Sequence, residues 1–522
     1  MLALALVVAL LIAIGSGSVV ARRFGVPAPV VLVSLGALLS LVPSLSGVQL
    51  PPEAVLLIFL PVLLYWESLT TSLREIRRLL RGIILTGTVL VVLTAAAIAA
   101  VLNAFGVAWG PAWIIGAALG PTDATAVAAL GKGLPRRSFV VLQAESLIND
   151  GTALVIYALA VGTATGQIEP TLANAGGRLA LSLVGGIVVG LANGWVVFRL
   201  RRALHDTLLV NLSSLLTPLL AYLLAEAVHA SGVLAVVVAG NYMSQVTPGA
   251  IAASARQQGA AFWTLTTYVL NGALFVLIGM QLPHTTGELT TDSAGHALLL
   301  VAAAYLTMLI VRYAFLNMSI GIIRLLDRRP YQRTLRTTHR ARVVSTIAGF
   351  RGAVSLAVAL SVPEALPGGD LIVFVTGSIV VVSLVVQGFA LPRVIRWAKL
   401  PADSSVADEL RTARIAATRE ALDALPELGS LHGVPEEEVE RLVQEYEEKL
   451  AALQSPDGDE ADAATSIARR RDLTLALIAQ KRATVVRLRD ERTIDDTVLR
   501  EIQTQLDAEE VRLLGPPSTE GP

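Results

Sequence analysis

Cysteine is absent from all 522 residues, which excludes disulfides, thiolate nucleophiles and cysteine-ligated zinc or iron–sulfur centres while saying little about compartment. Charge is scarce as well, with Asp, Glu, Lys and Arg together making up 16%. No Gly-x-x-x-x-Gly-Lys-Ser/Thr loop occurs, so nothing points to an ATP-driven step. What fills the chain instead is apolar: 54% of residues are hydrophobic before the 42 glycines are counted, and mean hydropathy is +0.65. Soluble domains reach only about 45 to 50% with glycine included, so a water-soluble globule does not suit this composition. The 41 basic and 41 acidic residues cancel formally, but unevenly along the chain. Residues 401–522 hold 27 acidic and 15 basic residues, leaving 14 and 26 for residues 1–400. An apolar body of net +12 thus precedes a polar tail of net −12. That division argues against an extracellular enzyme and against a nucleic-acid binder.

Apolar runs of about 20 residues match the length of a bilayer-crossing helix. Thirteen are expected, centred on 2–21, 27–42, 53–68, 82–105, 111–131, 137–162, 173–198, 207–226, 230–244, 259–282, 297–323, 342–363 and 371–392, with 230–244 the weakest. The first has no basic residue ahead of it, and Arg22 and Arg23 follow it, so it reads as a retained helix and not a signal peptide, with the N-terminus outside. Alternate loops then collect the positive charge: Arg22 and Arg23; Arg74, Arg77, Arg78 and Arg81; Lys132, Arg136 and Arg137; Arg199, Arg201 and Arg202; Arg256; and the cluster from Arg324 to Arg342. The intervening loops carry almost none, Arg178 excepted. This is the positive-inside pattern, and it places the tail in the cytoplasm. Within the tail, Val439, Leu442, Val443 and Tyr446 recur at helical spacing in Glu436–Leu450, and Asp472–Leu488 is also helix-like. A helical accessory domain for regulation or assembly is expected over 401–522, with a loop at Ser455–Asp459 and a disordered end from Gly515 to Pro522.

Ionisable side chains at membrane depth cost about 2.5 to 3.5 kcal/mol each on insertion scales, so each one kept there is a functional candidate. They are Glu67, Asp123, Glu145, Asp150 and Glu226 among the acids, and Arg312 and Arg351 among the bases. In Gly120-Pro121-Thr122-Asp123 a proline interrupts an apolar span just before a carboxylate. Proline removes a donor and disfavours helix in its predecessor, so the helix should break near Thr122 and Asp123. Free carbonyls and a half-helix N-terminus at mid-membrane then become available to a desolvated ion, although Asp123 as a plain helix cap is the alternative. In the next span, at 100° per residue, Ser146 and Asp150 lie about 40° apart, whereas Glu145 lies about 140° from Asp150. Asp150 and Ser146 can therefore face the break while Glu145 turns to another partner. Arg351 is the favoured partner and Arg312 the competing one, because two lone charges in hydrocarbon become tolerable as a pair. His229, His284 and Glu226, near helix ends, read as interface or capping residues ahead of any sensing or ligand role.

Residues Gly120–Leu130 and Glu145–Tyr157 resemble the sodium/proton exchanger family, in its bacterial NhaP-like branch of monovalent cation/proton antiporters. Leu64-Tyr65-Trp66-Glu67-Ser68, Asn149-Asp150, Ser231-Gly232-Val233-Leu234-Ala235 and Phe350-Arg351-Gly352-Ala353 extend the resemblance over roughly 1–400. Trp66 departs from it, standing where a small or Phe-like residue is more usual, and the tail lies outside it. The resemblance implies an all-α polytopic membrane protein with an inverted-repeat core of crossing broken helices, usually homodimeric, in the bacterial plasma membrane. It implies Na⁺ held between Asp150, Ser146, Glu67 and the Thr122 backbone, with Asp123 close by, and Glu145 paired structurally with an arginine. Relatives with Asp-Asp at 149–150 are electrogenic and those with Asn-Asp electroneutral, so Asn149 implies one cation per proton.

The function expected is thus secondary-active exchange of Na⁺, or of K⁺ or Li⁺, for H⁺, with proton and cation competing at Asp150 and no cofactor or enzymatic conversion. A K⁺/H⁺ antiporter is the nearest alternative, and a cation channel or membrane sensor the more distant ones.

Overall fold

The computed structural model describes residues 2–43, 55–71, 73–131, 133–166, 172–204, 206–247, 253–286, 291–326, 338–363, 366, 368–400, 405–454, 460–491 and 496–514. Lys132, most of the basic cluster between Arg324 and Arg342, the Ser455–Asp459 loop and the 515–522 end lie outside that set. The described residues contain helices and no strand. In chain order these are α1 (Leu2–Phe24), α2 (Ala28–Leu39), α3 (Leu60–Thr70), α4 (Leu73–Ile84), α5 (Leu90–Ala104), α6 (Trp109–Ala118), α7 (Ala124–Leu130), α8 (Arg136–Ala164), α9 (Leu172–Ala203), α10 (Thr207–Ala227), α11 (Gly232–Val246), α12 (Ala253–Thr286), α13 (Thr291–Leu326), α14 (His339–Ile347), α15 (Ala353–Leu360), α16 (Gly369–Val382) and α17 (Gly388–Ala398). Beyond them come α18 (Ser405–Leu431), α19 (Glu436–Gln454), α20 (Glu460–Asp490) and α21 (Asp496–Leu514). Two compact units result, Met1–Pro401 and Ala402–Pro522.

Within the described residues, each of the thirteen apolar runs overlaps helix, including 230–244, most of which is α11. Among the described residues, eight helical stretches are long and apolar enough to cross a membrane, including Leu4–Phe24, Gly82–Ala104 and Gly369–Ala398; Ala28–Leu39, Leu57–Thr70 and Gly232–Val246 are shorter apolar helices. Their outward faces carry large exposed hydrophobics such as Leu181, Leu208, Leu298 and Ile310, as a lipid-facing surface requires.

Two runs are broken in the middle. Pro121 lies between α6 and α7, and Asp123 caps the second half, its Oδ1 accepting from the Thr125 amide at 2.8 Å. The run 342–363 divides at Ala348–Gly352, between α14 and α15. The two breaks meet: the Asp123 amide donates to the Phe350 carbonyl at 2.9 Å. Gly352 is required there, since a Cβ on it would stand 1.8 Å from Asp123 Oδ2. Elsewhere α2 and α12 press together at Gly36 and Gly279, where any Cβ would meet a backbone carbonyl at about 2 Å. Around these contacts three large clusters of buried aliphatic and aromatic side chains and a small fourth one at Leu274 and Ala357 form the interior.

The second unit is made of helical pairs, α18 with α19 and α20 with α21. Among the described residues, Ile478 and Val485 on α20 and Leu499 and Leu506 on α21 are buried large apolar side chains. Each pair is seven residues apart, the spacing that keeps one seam facing a neighbouring helix.

Candidate ion site at the crossing of two broken helices

The break after α6 is held open by α8. Ser146 Oγ donates to the Thr122 carbonyl at 2.7 Å and accepts from the Ala124 amide at 3.3 Å. Asn149 Nδ2 donates to Thr122 Oγ1 at 2.7 Å. One turn of α8 thus satisfies groups that the proline break would leave bare, and residues 146 and 150 do share a face as 3.6 residues per turn requires. Asp123 is fixed on the opposite lip, with Thr125 Oγ1 donating to it at 2.5 Å in addition to the Thr125 amide.

A cavity of about 50 Å³ opens at this point, with Glu67 of α3, Thr122, Asp123, Ser146 and Asp150 on its wall. It has room for an ion with a few water-sized neighbours. Asp150 is 3% exposed, and the charges nearest it are Glu67, Asp123 and Arg351. Glu67 is hydrogen-bonded to the Gln143 side chain. Three carboxylates converge, together with the hydroxyl residues Thr122, Thr125 and Ser146 and a distorted backbone: a set of oxygen donors suited to a hard monovalent cation or to protons. Asn149 does not reach the cavity wall; its amide holds Thr122, and its Oδ1 is buried without a hydrogen-bond partner among the described residues. Asn271 of α12 and Ser355 of α15 line the cavity too. Neither was expected from sequence, because only polar residues beside an intramembrane carboxylate or the proline break were considered, and these two lie on other helices. A polar Asn in the apolar run Val269-Leu270-Asn271-Gly272-Ala273 is the signal that would have found the first.

The favoured partner of Glu145 requires correction. Glu145 pairs with Arg312, not Arg351: Arg312 Nη1 lies 2.5 Å from Glu145 Oε1, with both side chains buried. Arg312 Nε also donates to the Ser345 carbonyl at 3.0 Å, fastening α13 to α14. Arg351 sits in the unwound segment between α14 and α15, where its own loop offers carbonyls. Its Nη1 bends back to Gly349 and Phe350 at 3.2 and 3.4 Å, which leaves Glu145 to the other arginine. Arg351 remains 2% exposed and electrostatically close to Asp150 and Glu145.

Trp66, the departure from the expected pattern, stacks on Trp263 of α12 with ring centroids 5.7 Å apart and planes 7° from parallel. Trp263 in turn donates to Ser214 Oγ at 3.1 Å. The large ring thus packs sideways against α12 and leaves Glu67 on the cavity wall. Glu226 is exposed at the end of α10, close to the Gly232 backbone amide and to His229, as a cap would be. His284 lies on α12, away from the breaks in sequence.

Residues 6–397 match the transmembrane sodium/hydrogen exchanger family. Over 530 residues the chain is 42% identical to an uncharacterized Na(+)/H(+) exchanger of Mycobacterium tuberculosis (strain ATCC 25618 / H37Rv), covering 99% of this chain and 97% of that one. A sodium, potassium, lithium and rubidium/H(+) antiporter of Bacillus pumilus (strain SAFR-032) is 28% identical over 413 residues, 74% of this chain and 60% of the relative. In fold the chain resembles the sodium proton antiporter MjNhaP1 from Methanocaldococcus jannaschii, with a TM-score of 0.56 at 17% identity, over 76% of this chain and 98% of that one. From its first helix to its last apolar one, the chain belongs to the transmembrane sodium/hydrogen exchanger family.

Proposed function

We propose that this exchanger moves one Na⁺ against one H⁺ by competition at Asp150, in a bacterial plasma membrane. The observation that carries the reading is the cavity itself, which gathers Glu67, Asp123 and Asp150 around Ser146 and the Thr122 break. Burial disfavours a bare carboxylate and a bound cation favours an ionised one, so proton and cation exclude each other at one place. A site that crosses the membrane interior only when loaded then couples the two fluxes without ATP. Asp150 is the shared ligand, Ser146 and Glu67 complete the cation's oxygen shell, Asp123 sets the charge of the surroundings, and Asn149 holds the Thr122 side chain in place. Asn149 adds no charge beside Asp150, which supports an electroneutral cycle. The Glu145–Arg312 pair is structural. The Bacillus pumilus relative, by its name, handles potassium and lithium as well, and these are the alternative cargoes here. We place the N-terminus outside and the Ala402–Pro522 unit in the cytoplasm as a regulatory or assembly domain, with the transport body in homodimers.

The test is reconstitution into proteoliposomes with an imposed pH gradient, adding Na⁺, K⁺, Li⁺ or choline in turn, with and without a valinomycin/K⁺ voltage clamp. Cation-driven pH change that ignores the clamp is expected, and the cation that gives it names the cargo. A clamp-dependent signal would overturn the one-for-one stoichiometry, and silence with every alkali cation would point to a channel or sensor role instead.

A further inference from the structure

A second group of buried polar side chains sits apart from the cavity. After α16 the helix widens into a π turn over Ser383–Gln387, a distortion that recurs where a helix is shaped around a functional site. Ser383 Oγ accepts from the Arg351 amide at 3.2 Å and donates to the Val380 carbonyl at 2.8 Å. Gln387 is 1% exposed, yet neither its Nε2 nor its Oε1 has a hydrogen-bond partner among the described residues. Tyr305 of α13 stands within hydrogen-bonding reach of the Gln387 side chain and close to Arg351, but among the described residues its hydroxyl makes no hydrogen bond of ordinary geometry. Arg351 adds a third unsatisfied residue through its Nε. None of the three lines the cavity at Asp150.

Four buried polar atoms without a well-formed hydrogen bond at one place inside an apolar bundle call for an occupant, because buried polar groups are almost always paired. The atoms themselves define it. Arg351 Nε and Gln387 Nε2 only donate, Gln387 Oε1 only accepts, and Tyr305 Oη does either. An alkali cation would meet an amide donor and a guanidinium, and an anion would meet the amide oxygen. Water donates and accepts, and internal waters commonly make about three such bonds. We propose that Tyr305, Gln387 and Arg351 enclose an internal water site, walled off from the ion cavity. Water held there solvates the guanidinium from behind, so that Arg351 stays charged near Asp150 while bonded to no carboxylate.

Radiolytic footprinting of the full chain in detergent tests this, because an X-ray pulse turns water beside a side chain into hydroxyl radical. Mass spectrometry should find Tyr305 oxidised although it is 9% exposed, with the fully buried Phe350 untouched. After mixing into ¹⁸O-water, the label should enter Tyr305 severalfold more slowly than the exposed Tyr313, as trapped water requires. Gln387→Leu should cut Tyr305 oxidation severalfold, with Gln387→Met serving if the first variant fails to fold. An unoxidised Tyr305 in the folded wild type means a dry pocket and overturns the proposal. So does ¹⁸O entry as fast as at Tyr313, or oxidation unchanged in the Gln387 variant. The readout needs no transport, so its failure leaves the exchange mechanism standing.

Discussion

At Asp150 a single carboxyl oxygen pair is asked to hold either cargo. Asp150→Asn keeps the shape and removes the charge, so we expect normal expression and loss of exchange with every alkali cation in proteoliposomes. Persistent cation-driven proton movement would remove Asp150 from the site. Asn149→Asp is the complementary change. It places a second carboxylate beside the first and breaks the hydrogen bond that Asn149 Nδ2 gives to Thr122, so exchange should become sensitive to the voltage clamp as net charge starts to move. Gly352→Ala acts from the other side of the crossing: a methyl 1.8 Å from Asp123 Oδ2 has no room, and the Asp123 carboxylate must be displaced. Transport should fall to a small fraction of wild type while the protein still inserts, a result read from initial rates at matched protein content.

Among the elements, the long helices were legible because a bilayer imposes a plain length and composition on them, and α11, the weakest of the thirteen runs, is helical all the same. The first break was legible too, because Pro121 acts on its neighbours through local sterics. The second was not readable from residues alone: no proline marks Ala348–Gly352, and its unwinding is stabilised by a contact from Asp123, more than two hundred positions away. The ion pair failed for the same reason. Periodicity showed that Glu145 turns away from Asp150, but which arginine meets it depends on Arg351 folding onto its own loop carbonyls, a tertiary outcome. The corrected pairing makes its own prediction. Arg312→Met strands the Glu145 carboxylate in the interior, and removing one partner of a buried pair costs about 3 to 5 kcal/mol. A marked drop in the thermal unfolding midpoint is expected, with much of it restored when Glu145→Gln is added, whereas Arg351→Met should gain nothing from Glu145→Gln.

The whole molecule is two compact units, Met1–Pro401 and Ala402–Pro522, which bury separate cores. A chain ended after Pro401 should therefore insert and exchange at close to the full-length rate, and any change should show in the pH at which exchange begins. In the second unit, exposed pairs such as Arg482 with Asp507 and Glu510 add little beside apolar burial. Leu506→Ala should destabilise that unit by about 2 kcal/mol or more, measured by denaturant melts followed through helical circular dichroism, while Arg482→Ala leaves the melt almost unmoved. The hydrogen bond from the Asp123 amide to the Phe350 carbonyl has a reach well beyond its 2.9 Å. It joins the two interrupted runs backbone to backbone, like a rivet through the blades of a pair of scissors. Any motion that turns the cavity from one face of the membrane to the other must carry both breaks with it, so the hinge lies elsewhere, and the Asp123 amide proton should be among the slowest in the chain to exchange with deuterium, even during turnover.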